Sequence, residues 1–397
     1  MAETAYLVGG VRTPVGRYGG ALAEVRADDL AAMVVGEAVA RNSIPGDAID
    51  DVILGAANQA GDDNRNVARM AALLAGLPDT VPGLTVNRLC ASGLQAVASA
   101  AQAIRAGDID LAVAGGVESM TRAPWVTGKP SRAWAKPDHV FDSALGWRFV
   151  NPRMAALDGG EATLSLGECT EKLARMAGVT REEADTYALR SQTLASHAWE
   201  QGWFDDEIVP VATRKGEITR DETVRAGTTI DSLTALDPAF ARDGLCTAGN
   251  SSPLSDGASA LIVAGDASVR QHGLRPRARV VSYAVAGVAP SLFGLGPVPA
   301  IRAALDKAGL TMDHMDCVDI NEAFAAQVIA CERQLGIPRE RLNPTGGAIA
   351  LGHPLGSSGS RMLITLLGHL ERTGGRYGVA SLCIGVGQGA AMVVERI

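Results

Sequence analysis

The chain has 397 residues, 47% of them apolar, and lacks an apolar run long enough to span a bilayer, which predicts a globular protein of two or three domains in the cytoplasm, without a membrane partner. The net charge of −8, from 36 basic and 44 acidic residues, argues against nucleic acid as a partner. The six cysteines form no C-x-x-C pair and the six histidines have no ligand-like spacing, so we expect free thiols and no metal site.

Short apolar runs typical of strands alternate with Ala- and Leu-rich helical patterns, which indicates an α/β fold with mostly buried strands. Strands are predicted at residues 5–8, 51–55, 84–87, 110–116, 259–265, 278–285, 317–320, 377–385 and 390–395. Helices are predicted at residues 28–41, 64–75, 92–106, 180–201, 298–308, 322–335 and 358–372. The fourth helix opens with a capping box, with Thr180 at N-cap and Glu183 at N3.

The two ends of the chain follow one plan, which indicates an internal duplication. In the first half a turn that contains a cysteine leads into helix 92–106 and then into a strand ending in Gly115-Gly116. In the second half the turn GHPLGSSG leads into helix 358–372 and then into a strand ending at Gly385. The two halves are therefore predicted to be variants of one βα unit.

The segment between the halves has a different composition. Residues 120–250 contain all five tryptophans and most of the charge runs, which is typical of an inserted loop domain. The predicted divisions are an N-terminal half at 1–120, completed by about 250–270, an insert at 121–249, and a C-terminal half at 271–397.

Cys90 lies in the stretch VNRLCASGLQA, where a strand pattern passes directly into a helical one. A thiol at the first turn of a helix is close to unpaired backbone N–H groups and to the positive end of the helix dipole, which favour the nucleophilic thiolate. Cysteine is also a common small buried side chain, so this position alone leaves catalysis and packing both open.

Three other positions carry candidate catalytic groups, each with a structural alternative. His353 lies in the Gly-rich stretch GGAIALGHPLGSSG, which could hold an imidazole rigidly or simply form a turn. Cys383 precedes a G-x-G-x-G run that is followed by a strand, so a bulge or tight turn is the alternative to a site. Asn321, in DINEAFAAQ, is a candidate polar group or an ordinary N-cap of the next helix.

Together these stretches resemble the four signatures of the thiolases, in order and approximate position. They are VNRLCASGLQA, NEAFAAQ, GGAIALGHPLGSSG and LCIGVGQG, and the likeness extends to GGVESMTRAP and DGLCTAGNSSPLSDGASA. The resemblance implies a thiolase fold: an α/β protein with two duplicated βαβαβαββ halves in a layered αβαβα arrangement, and an inserted loop domain that covers coenzyme A (CoA).

The resemblance also implies a role for each candidate residue. Cys90 would attack the 3-keto carbon of a 3-oxoacyl-CoA, with His353 as the base that activates it. His353, with a water held by Asn321, would stabilise the thioester enolate, and Cys383 would exchange protons with acetyl-CoA and with the incoming CoA. The backbone N–H groups of Cys90 and Gly385 would form the second oxyanion hole.

Three departures from the family pattern concern the substrate pocket. Val386 stands where the family usually has a glycine, Leu166 where relatives often have the Met of M-G-x-T-A-E-N, and Phe293 where many have the Met of M-G-x-G-P. Leu166 and Phe293 are implied to line the acyl pocket. The CoA contacts implied by the resemblance fall on Arg225, Ser232 and Ser252, with Pro253 in place of the usual glycine.

One branch, the 3-oxoadipyl-CoA thiolases of aromatic-acid breakdown, is more similar than the others in residues 12–32, 60–78 and 146–152 and in CIGVGQG. A dicarboxylic acyl chain requires a cation in the pocket, for which Arg65 and Arg148 are candidates; a surface or subunit contact is the alternative role of each. The resemblance further implies CoA as co-substrate, no other cofactor, and a homo-oligomer, with a homotetramer expected.

Four other functions remain open from the sequence. A general acetyl-CoA acetyltransferase would act on acetoacetyl-CoA or fatty 3-oxoacyl-CoA. A decarboxylating ketoacyl synthase shares the nucleophile but has a second histidine where this chain has Cys383. A Cys-His hydrolase would need no second thiol, and a non-catalytic CoA- or lipid-binding protein would not need Cys90, His353 and Cys383 together.

Overall fold

The computed structural model describes residues 3–130, 132–136 and 139–397; residues 131, 137 and 138 belong to the predicted insert and lie outside the described residues. Within these ranges the strands are β1 (Tyr6–Arg12), β2 (Gly16–Arg17), β3 (Asp51–Gly55), β4 (Gly83–Val86), β5 (Leu111–Ser119), β6 (Trp125–Thr127), β7 (Val140–Asp142), β8 (Val211–Thr213), β9 (Gly216–Ile218), β10 (Ser255–Ala264), β11 (Pro276–Gly287), β12 (Cys317–Ile320), β13 (Tyr377–Ile384) and β14 (Gln388–Arg396). The α-helices of the same ranges are α1 (Ala27–Arg41), α2 (Val67–Leu74), α3 (Ser92–Ala106), α4 (Pro152–Ala155), α5 (Leu166–Ala177), α6 (Arg181–Glu200), α7 (Ile230–Thr234), α8 (Asp266–Gln271), α9 (Pro297–Ala308), α10 (Ala325–Leu335), α11 (Ala348–Leu351) and α12 (Leu355–Thr373).

The strand order shows the predicted duplication. In the first half the order is β1-β10-β5-β3-β4, and in the second half the corresponding order is β11-β14-β13-β12. In the first half the pairs β1–β10 and β10–β5 are antiparallel and the pair β5–β3 is parallel. In the second half the pairs β11–β14 and β14–β13 are antiparallel and the pair β13–β12 is parallel. The counterpart of β4 in the second half is reduced to a single bridge between Val318 and Leu342.

Three apolar cores separate the layers. The β1–β11 pair joins both halves in one 10-stranded sheet. One core packs α1 and α2 against the first half of this sheet, the second encloses α3 and α12 between its two halves, and the third packs α9 and α10 against the second half. On β3, Val52 and Leu54 belong to the first core whereas Ile53 belongs to the second, because successive side chains point to opposite faces of a strand. The result is the five-layer αβαβα arrangement that the resemblance to the thiolases implies.

Glycines let α3 and α12 meet at their first turns. A Cβ on Gly93 would lie 2.7 Å from the carbonyl oxygen of Gly356, and a Cβ on Gly359 would lie 2.3 Å from the backbone nitrogen of Leu94. Any larger residue would separate the two helices. The glycines of the GHPLGSSG turn are therefore explained by this backbone contact, which brings the turns before the two helices close together.

All nine predicted strands and all seven predicted helices are present, with shifted ends, and the capping box at Thr180 and Glu183 is formed. One prediction about a helix start is wrong. Helix α10 begins at Ala325, with Phe324 at its N-cap, so Asn321 is not the cap. The sequence analysis also missed α5, which has its own capping box between Ser165 and Glu168.

The inserted segment contains the hairpins β6–β7 and β8–β9 and helices α4 to α7. It is tied to the first strand by Arg12, which is 1% exposed and donates to Glu207 at 2.6 Å and to Asp221 at 2.6 Å. Trp199 donates its indole N–H to the same Asp221 carboxylate at 3.1 Å. None of the helices in the described ranges is long and apolar enough to cross a membrane.

Candidate active site

Cys90 lies in a short 3-10 turn, Leu89–Ala91, that connects β4 to α3. Ser92 holds this turn: its hydroxyl accepts from the N–H of Arg88 at 2.9 Å and donates to the carbonyl of Leu89 at 2.7 Å. Leu89 itself has a φ of 46°, a conformation that is uncommon for a residue with a branched side chain. The turn thus directs the Cys90 side chain inward, where it is 5% exposed.

His353 precedes α12 in the second half, at the position that corresponds to Cys90 in the first. Its Nδ1 lies 2.6 Å from the hydroxyl of Ser358, which donates its own proton to the carbonyl of Pro354 at 2.9 Å. Because a hydroxyl has one proton, Ser358 must accept from Nδ1–H, which leaves Nε2 with a free lone pair. Burial lowers the pKa of His353 to about 3, with a smaller contribution from the charge of Arg361. His353 is therefore a neutral base at Nε2.

Asn321 follows β12 directly and faces His353, with its Nδ2 3.3 Å from Nε2. Its Oδ1 atom is buried and has no partner among the described residues, so it is available to a water or to substrate. The next residue, Glu322, fixes the loop. Its carboxylate accepts from Tyr187, Ser191, Asn343 and the N–H of Ile349, at 2.6–3.1 Å.

Cys383 and Gly385, at the end of β13, lie beside Cys90. The backbone N–H groups of Gly385 and of Cys90 itself lie near the Cys90 sulfur and lower the pKa of its thiol. Cys383 is fully buried, and burial raises its pKa well above the usual range, with a further contribution from the nearby Cys90. The two thiols therefore share one enclosed space with the two N–H donors.

The expected thiolate at Cys90 is not supported. Burial raises the pKa of Cys90 to about 11, and the N–H groups of Gly385 and Cys90 offset only part of this effect. The buried Glu118 carboxyl raises it further. The favourable effect of the helix terminus is smaller here than the loss of solvation on burial, which the local sequence does not reveal.

Leu166 and Phe293, the two departures in the predicted acyl pocket, belong to one apolar cluster with Cys383. Leu166 also reaches Gly385, where its Cδ2 would lie 3.7 Å from a Cβ placed on that glycine. Phe324 joins the same cluster and packs edge-on against Phe240, with ring centroids 5.8 Å apart. An apolar wall thus lies directly beside the two thiols.

The three predicted CoA contacts occupy different places. Ser252 lies beside the loop that carries Asn321, since its N–H donates to the carbonyl of Ala323 at 3.0 Å. The adjacent Pro253 accepts from Ser255, whose hydroxyl in turn accepts from the N–H of His353 at 3.1 Å. Arg225 and Ser232, in contrast, are exposed on the inserted segment.

The two predicted cations also differ. Arg148 is partly buried and donates to Asn58 Oδ1 and to the carbonyl of Ser143, both at 3.3 Å. The N–H of Asn58 donates to Glu118, so Arg148 is two contacts away from a carboxyl that influences Cys90. Arg65 is exposed, at a φ of 65°. Arg148 is thus the better placed of the two.

Residues 5–267 match the family model described as the N-terminal domain of thiolase, and residues 274–396 match the one described as its C-terminal domain. The chain belongs to the thiolase family. It is accordingly an acyltransferase.

Named relatives of similar length are found in bacteria, and a solved structure comes from a human enzyme. The chain is 53% identical to the 3-oxoadipyl-CoA/3-oxo-5,6-dehydrosuberyl-CoA thiolase of Escherichia coli (strain K12), over 99% of both chains. It is 50% identical to a beta-ketoadipyl-CoA thiolase of Pseudomonas aeruginosa, over the full length of both. The crystal structure of human mitochondrial 3-ketoacyl-CoA thiolase in complex with CoA superposes with a TM-score of 0.93, at 39% identity, over 100% of this chain and 99% of that one.

Sequence reasoning missed two residues that hold the site. Ser358 accepts the Nδ1 proton of His353. The sequence indicates it only by its position, five residues after His353 in the same Gly-rich stretch. Glu322 fixes the Asn321 loop, and its signal was its position inside the NEAFAAQ stretch. Both act through contacts with residues distant in the chain or with the backbone, which local patterns do not specify.

Proposed function

We propose that this thiolase cleaves 3-oxoadipyl-CoA with CoA, giving succinyl-CoA and acetyl-CoA through an acyl-enzyme on Cys90. The observation that carries the substrate is full-length identity of 53% and 50% to two relatives named for 3-oxoadipyl-CoA, also called beta-ketoadipyl-CoA. The neutral base at His353 and the second thiol at Cys383 support the same chemistry.

In the first half-reaction, His353 Nε2 takes the thiol proton while the Cys90 sulfur attacks the 3-keto carbon. The N–H groups of Cys90 and Gly385 stabilise the resulting oxyanion. The bond between C2 and C3 then breaks and its electron pair passes to the acetyl-CoA enolate. The protonated His353 and a water on Asn321 stabilise this enolate until Cys383 donates a proton to carbon, which releases acetyl-CoA.

In the second half-reaction, the Cys383 thiolate takes the proton of the incoming CoA thiol. The CoA sulfur attacks the acyl group on Cys90, again at the two N–H donors, and succinyl-CoA leaves as Cys90 recovers its proton from His353. Each group ends in its starting protonation state. The neutral resting forms of Cys90 and His353 support this cycle, because every charge then arises only during reaction.

We assign substrate contacts on the same basis. Leu166 and Phe293 would line the acyl pocket, since both lie in the apolar cluster that contains Cys383. Ser252 would contact CoA near the catalytic loop, while Arg225 and Ser232 would contact it from the inserted segment, residues 121–249, which we propose to cover CoA.

We also propose a homotetramer. The support is an unusual set of exposed apolar side chains on the first part of the insert: Trp125 is 76% exposed, Trp134 100%, Val140 65% and Phe149 55%. Several large exposed apolar side chains in one segment favour a contact between subunits. Light scattering on the purified protein measures the mass directly.

The substrate is tested by thiolysis. The value of kcat/KM for 3-oxoadipyl-CoA should exceed that for acetoacetyl-CoA, because a distal carboxylate that loses its solvation requires a cation. Arg148→Ala should remove the difference and leave acetoacetyl-CoA cleavage nearly unchanged. Arg65→Ala is the matched control and should keep the preference.

A wild-type preference for acetoacetyl-CoA would overturn the dicarboxylate assignment and leave a general acetyl-CoA acetyltransferase. If the wild type and Arg148→Ala prefer 3-oxoadipyl-CoA over acetoacetyl-CoA by the same ratio of kcat/KM values, Arg148 does not bind the distal carboxylate.

A further inference from the structure

Glu118, the second-to-last residue of β5, is a buried carboxyl next to the active site. It is 1% exposed. Three backbone N–H groups donate to it: those of Ala57 at 3.0 Å, Asn58 at 3.1 Å and Gly356 at 2.8 Å. A carboxyl that is withdrawn from water and surrounded by backbone donors serves as a fixed anchor for the segments that carry those donors.

The donors come from both halves of the molecule. Ala57 and Asn58 follow β3 in the first half, whereas Gly356 belongs to the second half and lies three residues after His353. Glu118 thus joins the turn that carries the base to the half that carries the nucleophile.

The fit around Gly356 is tight. A Cβ on Gly356 would lie 2.2 Å from the carbonyl oxygen of Val117 and 2.7 Å from that of Gly55. Two strand ends of the first half therefore touch the His353 turn through backbone atoms. A shift of the Glu118 hydrogen bond would move the turn, because no loose side chain lies between them to absorb the change.

Sheet register gives Glu118 a counterpart in the second half. Glu118 is paired with Gly257 on β10, and Cys383 is paired with Gly389 on β14, the strand that corresponds to β10. The strands β5 and β13 occupy the same place in their halves. The Glu118 carboxyl and the Cys383 thiol therefore occupy equivalent positions in the two copies of the duplicated unit.

Glu118 also acts on the nucleophile through its charge. It raises the pKa of Cys90, after the larger effect of burial. Burial raises the pKa of Glu118 itself to about 7, and the charge of Asp63 raises it further, whereas the three N–H donors lower it. The charge of Asp63 thus acts on the pKa of Glu118, and the charge of Glu118 acts on the pKa of Cys90.

We propose that Glu118 is a positioning residue for thiolysis, which fixes the His353 turn against the Cys90 half through Gly356. The proposal rests on the roles proposed above for Cys90 and His353. Glu118 makes no contact with the reacting atoms in this assignment and acts through the backbone that it holds.

Two variants separate position from charge. Glu118→Gln keeps the shape of the side chain but places an amide N–H₂ opposite a backbone donor and removes the charge. Glu118→Asp keeps the charge, but the side chain is shorter by one methylene group, so the carboxylate lies further from the backbone donors. With acetoacetyl-CoA as substrate, both should lower kcat by about 10- to 100-fold, the effect expected of a small misplacement, while KM for CoA stays within about twofold.

Alkylation of Cys90 by iodoacetamide supplies a readout that a purely structural role would not change. Glu118→Gln should shift the pH profile of alkylation to lower pH, because a negative charge near the thiol is removed. Glu118→Asp should leave the profile near that of the wild type. Asp256→Asn is the matched control: Asp256 is a buried carboxyl on the neighbouring β10 that accepts from Ser119 and Thr121.

A fall in kcat with both Glu118 variants, and with Asp256→Asn within about twofold of the wild type, supports the proposal. It is overturned if Glu118→Asp retains wild-type kcat, or if Asp256→Asn loses as much. Should Glu118→Gln fail to fold, Glu118→Asp carries the test alone. If the wild type forms no acyl adduct at Cys90 with acetoacetyl-CoA, the proposed nucleophile fails instead, which separates the two ideas.

Discussion

Cys90 and His353 are both neutral at rest. Burial raises the pKa of the thiol to about 11 and lowers the pKa of the imidazole to about 3, so an ion pair is disfavoured at rest. In the proposed mechanism the proton therefore moves from sulfur to Nε2 as the new carbon–sulfur bond forms. This coupling limits the reaction of Cys90 with compounds that are not bound in the pocket.

Alkylation by iodoacetamide tests the raised pKa. Because only the thiolate reacts, the rate at Cys90 should rise about tenfold per pH unit from pH 7 towards 10. Mass spectrometry of the Cys90 peptide measures the rate, with Cys90→Ser as the control for labelling at other thiols. A plateau below pH 8 would show that the thiol ionises more easily than its burial implies.

Cys383→Ser tests the division of work between the two thiols. If Cys383 exchanges protons and Cys90 carries the acyl group, the variant should still form an acyl-enzyme at Cys90 but turn over more slowly by a factor on the order of 10²–10⁴. Mass spectrometry of the intact protein detects the adduct. A folded variant without any adduct would mean that the roles are assigned wrongly.

At the scale of elements, the loop between β13 and β14 carries local strain. Val386 has a φ of 64° although its side chain is β-branched, and it is flanked by glycines on both sides. A left-handed conformation is costly for such a residue, by roughly 1–3 kcal/mol. The loop accepts this cost beside Gly385, which supplies an N–H donor to Cys90.

Val386→Gly should therefore raise the free energy of unfolding by about 1 kcal/mol, the strain relieved less the extra chain entropy of glycine. Urea unfolding measures the difference. Val285→Gly is the control, since Val285 is similarly exposed, at 43%, but lies in β11, where glycine should destabilise. Equal losses with both variants would contradict the strain at Val386.

The elements were largely predictable because each half follows simple periodic patterns. Strands buried on both faces have continuous apolar runs in the sequence, and the capping box of Thr180 and Glu183 marks the start of α6. Helix α5 was not predicted, although Ser165 and Glu168 form the same kind of capping box at its start. The ionisation of Cys90 was mispredicted because burial depends on both sheets and the insert, which a local stretch does not reveal.

At the scale of the whole molecule, one buried ionic cluster joins the insert to the core. Arg12 on β1 donates to Glu207 and Asp221, which come from the insert, and it lies over the ring of Phe204 at 5.3 Å. Asp221 also accepts the N–H of Val15 at 2.8 Å. This cluster thus joins the insert to the first half through buried charged contacts.

Asp221→Ala should lower the free energy of unfolding by about 3–5 kcal/mol, because it leaves a buried guanidinium incompletely paired. Thermal or urea unfolding measures the loss. Glu37→Ala removes a partly exposed partner of Arg41 and should change stability by less than about 1 kcal/mol. A loss below 1 kcal/mol with Asp221→Ala would show that the cluster does not hold the insert.

The duplicated architecture also governs when the protein becomes active during its synthesis. The proposed nucleophile, Cys90, comes from the first copy, and the proposed base, second thiol and Gly385 N–H donor come from the second. A nascent chain with its first half already folded would carry Cys90 without its proton acceptor. Turnover therefore reports that both copies have folded and docked, and activity recovered after refolding measures that event more strictly than any probe of one half.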